Sequence, residues 1–225
     1  MYLGSEVLYL GPLLTPAVYG LIKKYKNDFL YGNIMADTVL AKRYMPAKKN
    51  SHSWSVACEM LGSAKKSSER AFCLGYMSHL AADTVAHGTY TAGRKNIRHA
   101  YLEFKADNSI DSSYGLQMMS IGREVQERND EFLEKSLDRV FLSFNANRKI
   151  FKGFVAISAL NNAGFWNLRE ARLTGRGKGA DLDALHRESL VRMADVLKNG
   201  ERSEVLKEDP LVNCKKSRLF SSYLV

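Results

Sequence analysis

An all-α fold is the structure that this 225-residue sequence predicts, and three features indicate it. Apolar residues recur at helical spacing along most of the chain, whereas the strict alternation typical of strands is scarce. Only four prolines interrupt the sequence, so long helices are allowed. Hydrophobic residues make up 45% and charged residues 25%, which is ordinary for a folded globular domain and argues against disorder. We therefore predict a single helical domain over residues 1–225.

The predicted helices follow one another along the chain with short polar breaks. They are expected at about residues 16–24, 31–43, 52–64, 69–86, 96–106, 116–147 (one helix or two), 152–172 and 181–198. Ser51 or Ser53 is a candidate N-cap of the third helix, and Ser67 or Ser68 of the fourth. The fourth helix is largely apolar, which indicates that it is the central helix of the domain. The glycine-rich run 174–180 is predicted to be a linker.

The chain is basic, with a net charge of +9. A basic excess raises the encounter rate with phosphates, anionic lipid heads and nucleic acid, although many soluble proteins are simply basic. No run approaches the ~18 apolar residues of a membrane span. The first residues lack the basic start and cleavage pattern of a signal peptide. The sequence as given therefore predicts a cytoplasmic protein, or a secreted one if the true start lies upstream.

The three cysteines, Cys58, Cys73 and Cys214, are too few and too uneven to form a disulfide framework. The first two lie inside apolar helical patterns, where we expect them to be small core residues. His186 lies far along the chain from the other four histidines, and we expect it at the surface.

Histidines and carboxylates recur at helical spacing in the first half of the chain. His79, Asp83 and His87 stand four residues apart, a step that advances each side chain only about 40° around a helix, so all three point into one sector. An aspartate within so apolar a helix is costly unless it is paired or bound to a cation. A zinc ion removes that cost, because imidazole nitrogen and carboxylate oxygen are its ordinary ligands, and the central Asp83 can bridge two ions.

A second pair of this kind, His99 and Glu103, follows on the next predicted helix, and Asp37 and His52 come earlier, at the edges of helical segments. Each residue has a simpler explanation on its own. A buried histidine can be a hydrogen-bonded core residue, Asp83 can pair with a nearby arginine, and His99 with Glu103 can be a surface pair of small energy. Two histidine–carboxylate motifs within one short stretch favour a metal site over these alternatives.

These residues and their neighbours resemble the zinc-dependent phospholipase C family and, more distantly, the single-strand-specific zinc nucleases. The resemblance covers about residues 1–110, and little after residue 110 is recognisable. It rests on Gly32-Asn-Ile-Met-Ala-Asp37, His52-Ser-Trp54, Gly75-Tyr-Met-Ser-His79-Leu-Ala-Ala-Asp83-Thr-Val-Ala-His87-Gly88 and His99-Ala-Tyr-Leu-Glu103.

The resemblance implies a helical bundle with a cluster of two or three zinc ions and no other cofactor. Seven residues would be its metal ligands: Asp37, His52, His79 and Asp83 for one ion, and His87, His99 and Glu103 for another. Asp83 would also reach toward a third ion. The family's third ion uses the N-terminal amine of a mature tryptophan and a nearby histidine, whereas this chain starts Met1-Tyr2 and has no histidine before His52. We therefore expect a site for two ions, or a chain that lacks the family's first residues.

The resemblance further implies an enzyme, a zinc-dependent phosphodiester hydrolase of the phospholipase C type, whose zinc cluster activates water and whose Asp37 orients or deprotonates that water. Its substrate would be a phospholipid or another phosphodiester, and the basic charge suits peripheral contact with an anionic membrane surface. A non-catalytic, metal-stabilised helical module is one alternative. A zinc nuclease or phosphatase is another, less favoured because the resemblance is to the phospholipase branch; its nucleic-acid contacts would be Tyr90, Arg94, Lys95, Arg98 and Tyr101.

Overall fold

The computed structural model describes residues 2–36, 52–85, 120–136 and 182–210. Within these ranges the regular structure is helical and contains no strand, which confirms the predicted all-α class. Short 3-10 helices cover Gly11–Leu13, Gly200–Arg202 and Glu204–Lys207. The described α-helices are α1 (Tyr2–Val7), α2 (Pro16–Lys24), α3 (Lys26–Met35), α4 (Trp54–Ser63), α5 (Ser67–Val85), α6 (Arg123–Ser136) and α7 (Leu182–Asn199).

Helix α2 has the bounds that the sequence predicts, because its ends carry strong local signals. The side chain of Thr15 accepts a hydrogen bond from the backbone amide of Val18 at 3.4 Å, and Pro16 occupies the first helical position. A proline there is favourable, since its missing N–H would have no partner within the helix. Lys23 and Lys24 occupy the last turn, where positive charge suits the helix dipole.

Helix α5 is the central helix, as predicted, and it packs against α3, α4, α6 and α7. Its buried side chains include Phe72, Tyr76 and Leu80. It begins slightly earlier than residue 69, and its N-terminus is capped by a carboxylate rather than by the predicted serines. Glu69 accepts hydrogen bonds from the backbone amides of Lys65 and Lys66 at 2.9 and 3.0 Å, the backward half of a capping box.

Two glycines allow α3 and α5 to cross with their backbones in contact. A Cβ atom added at Gly32 would lie 2.0 Å from the carbonyl oxygen of Phe72, and one added at Gly75 would lie 1.9 Å from that of Phe29. No side chain fits at either position without parting the helices. Both glycines belong to the segments that carry the family resemblance, so part of that resemblance encodes helix packing.

Helix α3 begins at Lys26, so the predicted start at residue 31 was wrong, and its first turn contains Asp28, a residue type that is usually exposed. Asp28 is instead buried and accepts hydrogen bonds from Arg128 at 2.7 Å and from the Asn129 amide at 2.8 Å. The hydroxyl of Tyr31 donates to Asp130 at 2.5 Å. These contacts tie α3 to α6 across about a hundred residues of sequence, a separation that local patterns do not register.

Helix α7 packs on α5 and adds Met193, Val196 and Leu197 to the hydrophobic core. It ends at Asn199, one residue past the predicted end, and Gly200 follows with a positive φ of 57° that favours glycine. In the described part of the chain, no helix has both the length and the apolar character needed to cross a membrane.

The predictions for the cysteines, for His186 and for two further helices have different outcomes. Cys73 is buried and Cys58 is half-buried, both as free thiols, which fits the expected core role. Cys214 and the predicted helices at residues 96–106 and 152–172 lie outside the described residues. His186 is partly buried on α7, not fully at the surface.

Candidate metal centre

Helix α5 presents His79 and Asp83 one turn apart, as the four-residue spacing predicts. Their side chains are 15% and 16% exposed, although Oδ2 of Asp83 itself is buried. The Nε2 atom of His79 lies 3.3 Å from Oδ2 of Asp83. The two residues therefore present a nitrogen and an oxygen donor atom on the same face of the central helix.

His52 approaches the same point from the start of α4. It is fully buried and stands two residues before Trp54, the first residue of α4, with Ser53 in an extended conformation between them. Its Nε2 atom lies 3.0 Å from Oδ2 of Asp83 and 3.4 Å from Nε2 of His79. The two imidazole rings are nearly perpendicular, with centroids 5.4 Å apart. Residues separated by 27 positions thus bring three donor atoms together.

The spacing of these donor atoms fits a tetrahedral metal ion. The three separations are 3.0, 3.3 and 3.4 Å. Ligand atoms bound at about 2.0–2.1 Å to a tetrahedral zinc ion lie about 3.3 Å from one another. Two imidazole nitrogens that face each other need a shared proton or a cation between them, since two lone pairs repel. Within the described ranges, His52, His79 and Asp83 form the one group of three histidine, cysteine or acidic residues with this spacing.

The protonation state of Asp83 also suits a metal ligand. Burial works to raise the pKa of this carboxyl, but the charge of His79 and the hydrogen bonds from His52 and His79 outweigh burial and hold the pKa well below its usual range. Asp83 is therefore a carboxylate at neutral pH, which is the form that binds a cation.

Residues close to the motif in sequence have structural roles. Ser78 donates a hydrogen bond to the carbonyl of Leu74 at 2.8 Å, and Asn33 donates to that of Phe29 at 3.3 Å, each within its own helix. Trp54 is buried in the core. Its indole nitrogen donates to the carbonyl of Glu208 at 2.8 Å, a contact that the sequence did not suggest.

Four of the seven predicted ligands lie outside the described residues: Asp37, His87, His99 and Glu103. Asp37 directly follows Ala36, which is buried beyond the end of α3. These four residues remain predictions from the resemblance. The nucleic-acid contacts considered for a nuclease also lie outside the described ranges.

Sequence reasoning missed two residues beside the cluster. Thr84, the neighbour of Asp83, is buried and accepts a hydrogen bond from Arg192 of α7 at 2.9 Å. Arg192 is one of several basic residues of α7. Its contact with α5 is set by tertiary packing, so no local signal marks it.

The fold and the cluster define a helical protein with a zinc-type donor set on its central helix. The chain belongs to the zinc-dependent phospholipase C family, since the family model described as zinc dependent phospholipase C matches residues 1–151. The match extends past residue 110, where the recognisable sequence resemblance ends, and it supports a phospholipase C-like function. Comparison with curated proteins and with solved structures finds no significant match.

Proposed function

We propose that the protein is a zinc-dependent phosphodiester hydrolase that acts on a phospholipid. The convergence of His52, His79 and Asp83, in a chain of this family, is the observation that carries the proposal. Together with Asp37 they would hold one zinc ion. The remaining residues of the set would hold a second ion: His87, His99 and Glu103.

Zinc bound at this cluster would neutralise phosphodiester charge and lower the pKa of water toward ~7. The protein's own residues would supply the orientation. His52 is fully buried and closes the inner side of the site, whereas His79 and Asp83 are 15% and 16% exposed and lie nearer the surface. Asp37 is the candidate for orienting or deprotonating the attacking water.

The first test is the zinc content of the purified protein, measured by elemental analysis for the wild type and for His79→Ala. His186→Ala is the matched control, because it removes a histidine that is not part of the cluster. The proposal expects two or three zinc ions per chain in the wild type and in the control, and fewer in His79→Ala. A wild type that binds no zinc, even when zinc is added, would overturn the proposal.

The second test separates the enzyme classes. Zinc-loaded protein is incubated with a chromogenic phosphocholine ester, with phospholipid vesicles and with single-stranded DNA. Release of the phosphorylated head group, abolished in His79→Ala and retained in His186→Ala, is the expected result. Cleavage of DNA alone would identify a nuclease. Bound zinc without turnover of any phosphodiester would identify a metal-stabilised module.

A surface beside α2 supports the expected contact with an anionic membrane. We name it the Tyr–Lys face, and it comprises Tyr9, Leu13, Tyr19, Lys23 and Lys24. Tyr9 and Leu13 are 79% and 58% exposed, so their apolar side chains are available for contact with a partner. The 3-10 turn between them packs on the Tyr19 ring, and Lys23 lies 5.6 Å from the centre of that ring. Apolar tips beside lysines match the chemistry of a lipid interface with negative head groups.

Vesicle co-sedimentation tests the Tyr–Lys face. Binding is expected to vesicles that contain phosphatidylserine, weaker binding to pure phosphatidylcholine, and weakening with salt. A lysine near an anionic membrane contributes about 1 kcal/mol, so Lys23→Gln with Lys24→Gln should weaken binding at least roughly tenfold. Tyr9→Ser with Leu13→Ser should also weaken it, whereas Val191→Ser, which removes an exposed aliphatic side chain of α7, should not. Equal binding by all variants would show that the Tyr–Lys face does not bind the membrane, and it would leave the hydrolase proposal intact.

A further inference from the structure

The residues beside two predicted ligands are held by the C-terminal part of the chain. Thr84 follows Asp83, and its hydroxyl accepts a hydrogen bond from Nη1 of Arg192 at 2.9 Å while it donates to the carbonyl of Ala81 at 2.7 Å. Trp54 stands two residues after His52, and its indole N–H donates to the carbonyl of Glu208 at 2.8 Å. Each ligand segment therefore has one direct hydrogen bond to residues 192–208.

Arg192 and Glu208 are also bound to each other. Nη1 of Arg192 donates to the carboxylate of Glu208, and Nε donates to Glu188 at 2.8 Å. Arg192 is partly buried, whereas both carboxylates are about half exposed. The two residues form a continuous link from the end of α5 to the start of α4, which we name the C-terminal clamp (Arg192 and Glu208).

The turn between the two clamp residues is itself fixed. The carboxylate of Asp195 accepts hydrogen bonds from the amide of Asn199, at 2.7 Å, and from the hydroxyl of Ser203. Ser203 in turn accepts from the backbone amide of Val205 at 3.2 Å, and Gly200 makes the left-handed turn. Because these contacts hold the turn, the position of Glu208 depends on the position of α7.

We propose that Arg192 and Glu208 are positioning residues that hold His52 and Asp83 at the spacing required for metal binding. The proposal rests on the metal centre of the proposed function. The clamp lies outside the family match, which ends at residue 151. Groups that orient metal ligands typically change metal affinity by about 10–100-fold when they are removed.

Zinc affinity, measured by competition with a chromophoric chelator, tests the clamp. Arg192→Met keeps the aliphatic stem but removes every hydrogen bond, and it should weaken zinc binding at least roughly tenfold. Thr84→Val removes only the hydroxyl and should weaken binding in the same direction, whereas Thr84→Ser should restore it. Arg187→Met, at an exposed position of α7, is the matched control and should bind zinc like the wild type.

A second measurement separates positioning from a purely structural role. Unfolding of the zinc-free proteins reports stability, and the chelator competition reports affinity of the folded state. Lower stability with unchanged zinc affinity in Arg192→Met and Thr84→Val would overturn the clamp while the metal centre stands. If Arg192→Met does not fold, the comparison of zinc affinity between Thr84→Val and Thr84→Ser tests the clamp instead. A wild type that takes up no zinc would instead refute the metal centre on which the clamp rests.

Discussion

The crossing of α3 and α5 yields a sharp prediction about stability. Gly75→Ala places a methyl group 1.9 Å from a backbone carbonyl oxygen of α3, and Gly32→Ala places one 2.0 Å from a carbonyl oxygen of α5. Ordinary contacts between carbon and a carbonyl oxygen lie at about 3.3–3.6 Å. The two helices must therefore part by more than about 1 Å, which no side-chain rotation can avoid.

The expected cost follows from two opposing effects. Overpacking a core costs about 1–3 kcal/mol and occasionally more, and a backbone obstacle at the central helix belongs at the upper end. Alanine recovers about 0.5–1 kcal/mol relative to glycine through its greater helix propensity. We expect a net loss of about 2 kcal/mol for each variant, which corresponds to roughly 4–8 °C in Tm for a chain of this size.

Denaturant unfolding of the zinc-free protein, followed by circular dichroism, measures this loss without a contribution from bound metal. Gly62→Ala in α4 is the matched control, because nothing lies within 4 Å of the added Cβ. It should be neutral or stabilise the protein by up to about 1 kcal/mol. The double variant should lose little more than the worse single variant, since the first methyl group already separates the helices. If Gly75→Ala behaved like Gly62→Ala, the described crossing of α3 and α5 would be wrong.

Three further predictions concern the helix network, a buried thiol and the turn after α7. Arg128→Met leaves the buried Asp28 carboxylate without its cation, and we expect a loss of about 2–3 kcal/mol on denaturant unfolding, below the full cost of breaking a buried pair because Arg128 is 39% exposed. A loss under about 1 kcal/mol would contradict that account. Burial, and secondarily the charge of Glu69, raise the pKa of Cys73 to about 12, so peptide mass spectrometry should find this thiol unalkylated in the folded protein and alkylated after unfolding. Because the unfolded thiol ionises first, its contribution to stability is complete below the ordinary pKa of 9.0 and declines as the pH rises toward 12. Gly200→Ala forces a side chain into a left-handed turn and should cost about 1–2 kcal/mol in the same unfolding assay, whereas an unchanged midpoint would show that the turn tolerates it.

Features that depend on residues close together in the sequence, such as helix ends and helix faces, were predicted from the sequence. Thr15 and Pro16 define the start of α2, and its predicted bounds are those of the structure. The four-residue spacing of His79 and Asp83 correctly placed two donor atoms on one helix face. The family resemblance also named His52 as a member of the same site, and the structure brings it there.

Tertiary contacts account for what the sequence could not predict. The partner of the buried Asp28 is Arg128, which is contributed by α6. In the sequence, Arg192 is indistinguishable from other basic residues of an amphipathic helix. Its contact with Thr84 follows only from the packing of α7 on α5. In each case a polar side chain is satisfied by a residue about a hundred positions away, which periodicity and capping rules do not detect.

The hydrogen bond between Trp54 and Glu208 gives the protein an internal optical probe. The indole is buried, stands two residues from His52, and is bound to the segment that follows α7. The chain has two tryptophans, so replacing Trp166 with phenylalanine would leave Trp54 as the single tryptophan. The emission of that indole should shift to longer wavelength when residues 200–210 detach and water reaches the ring. Time-resolved fluorescence would then follow the docking of this segment onto the start of α4.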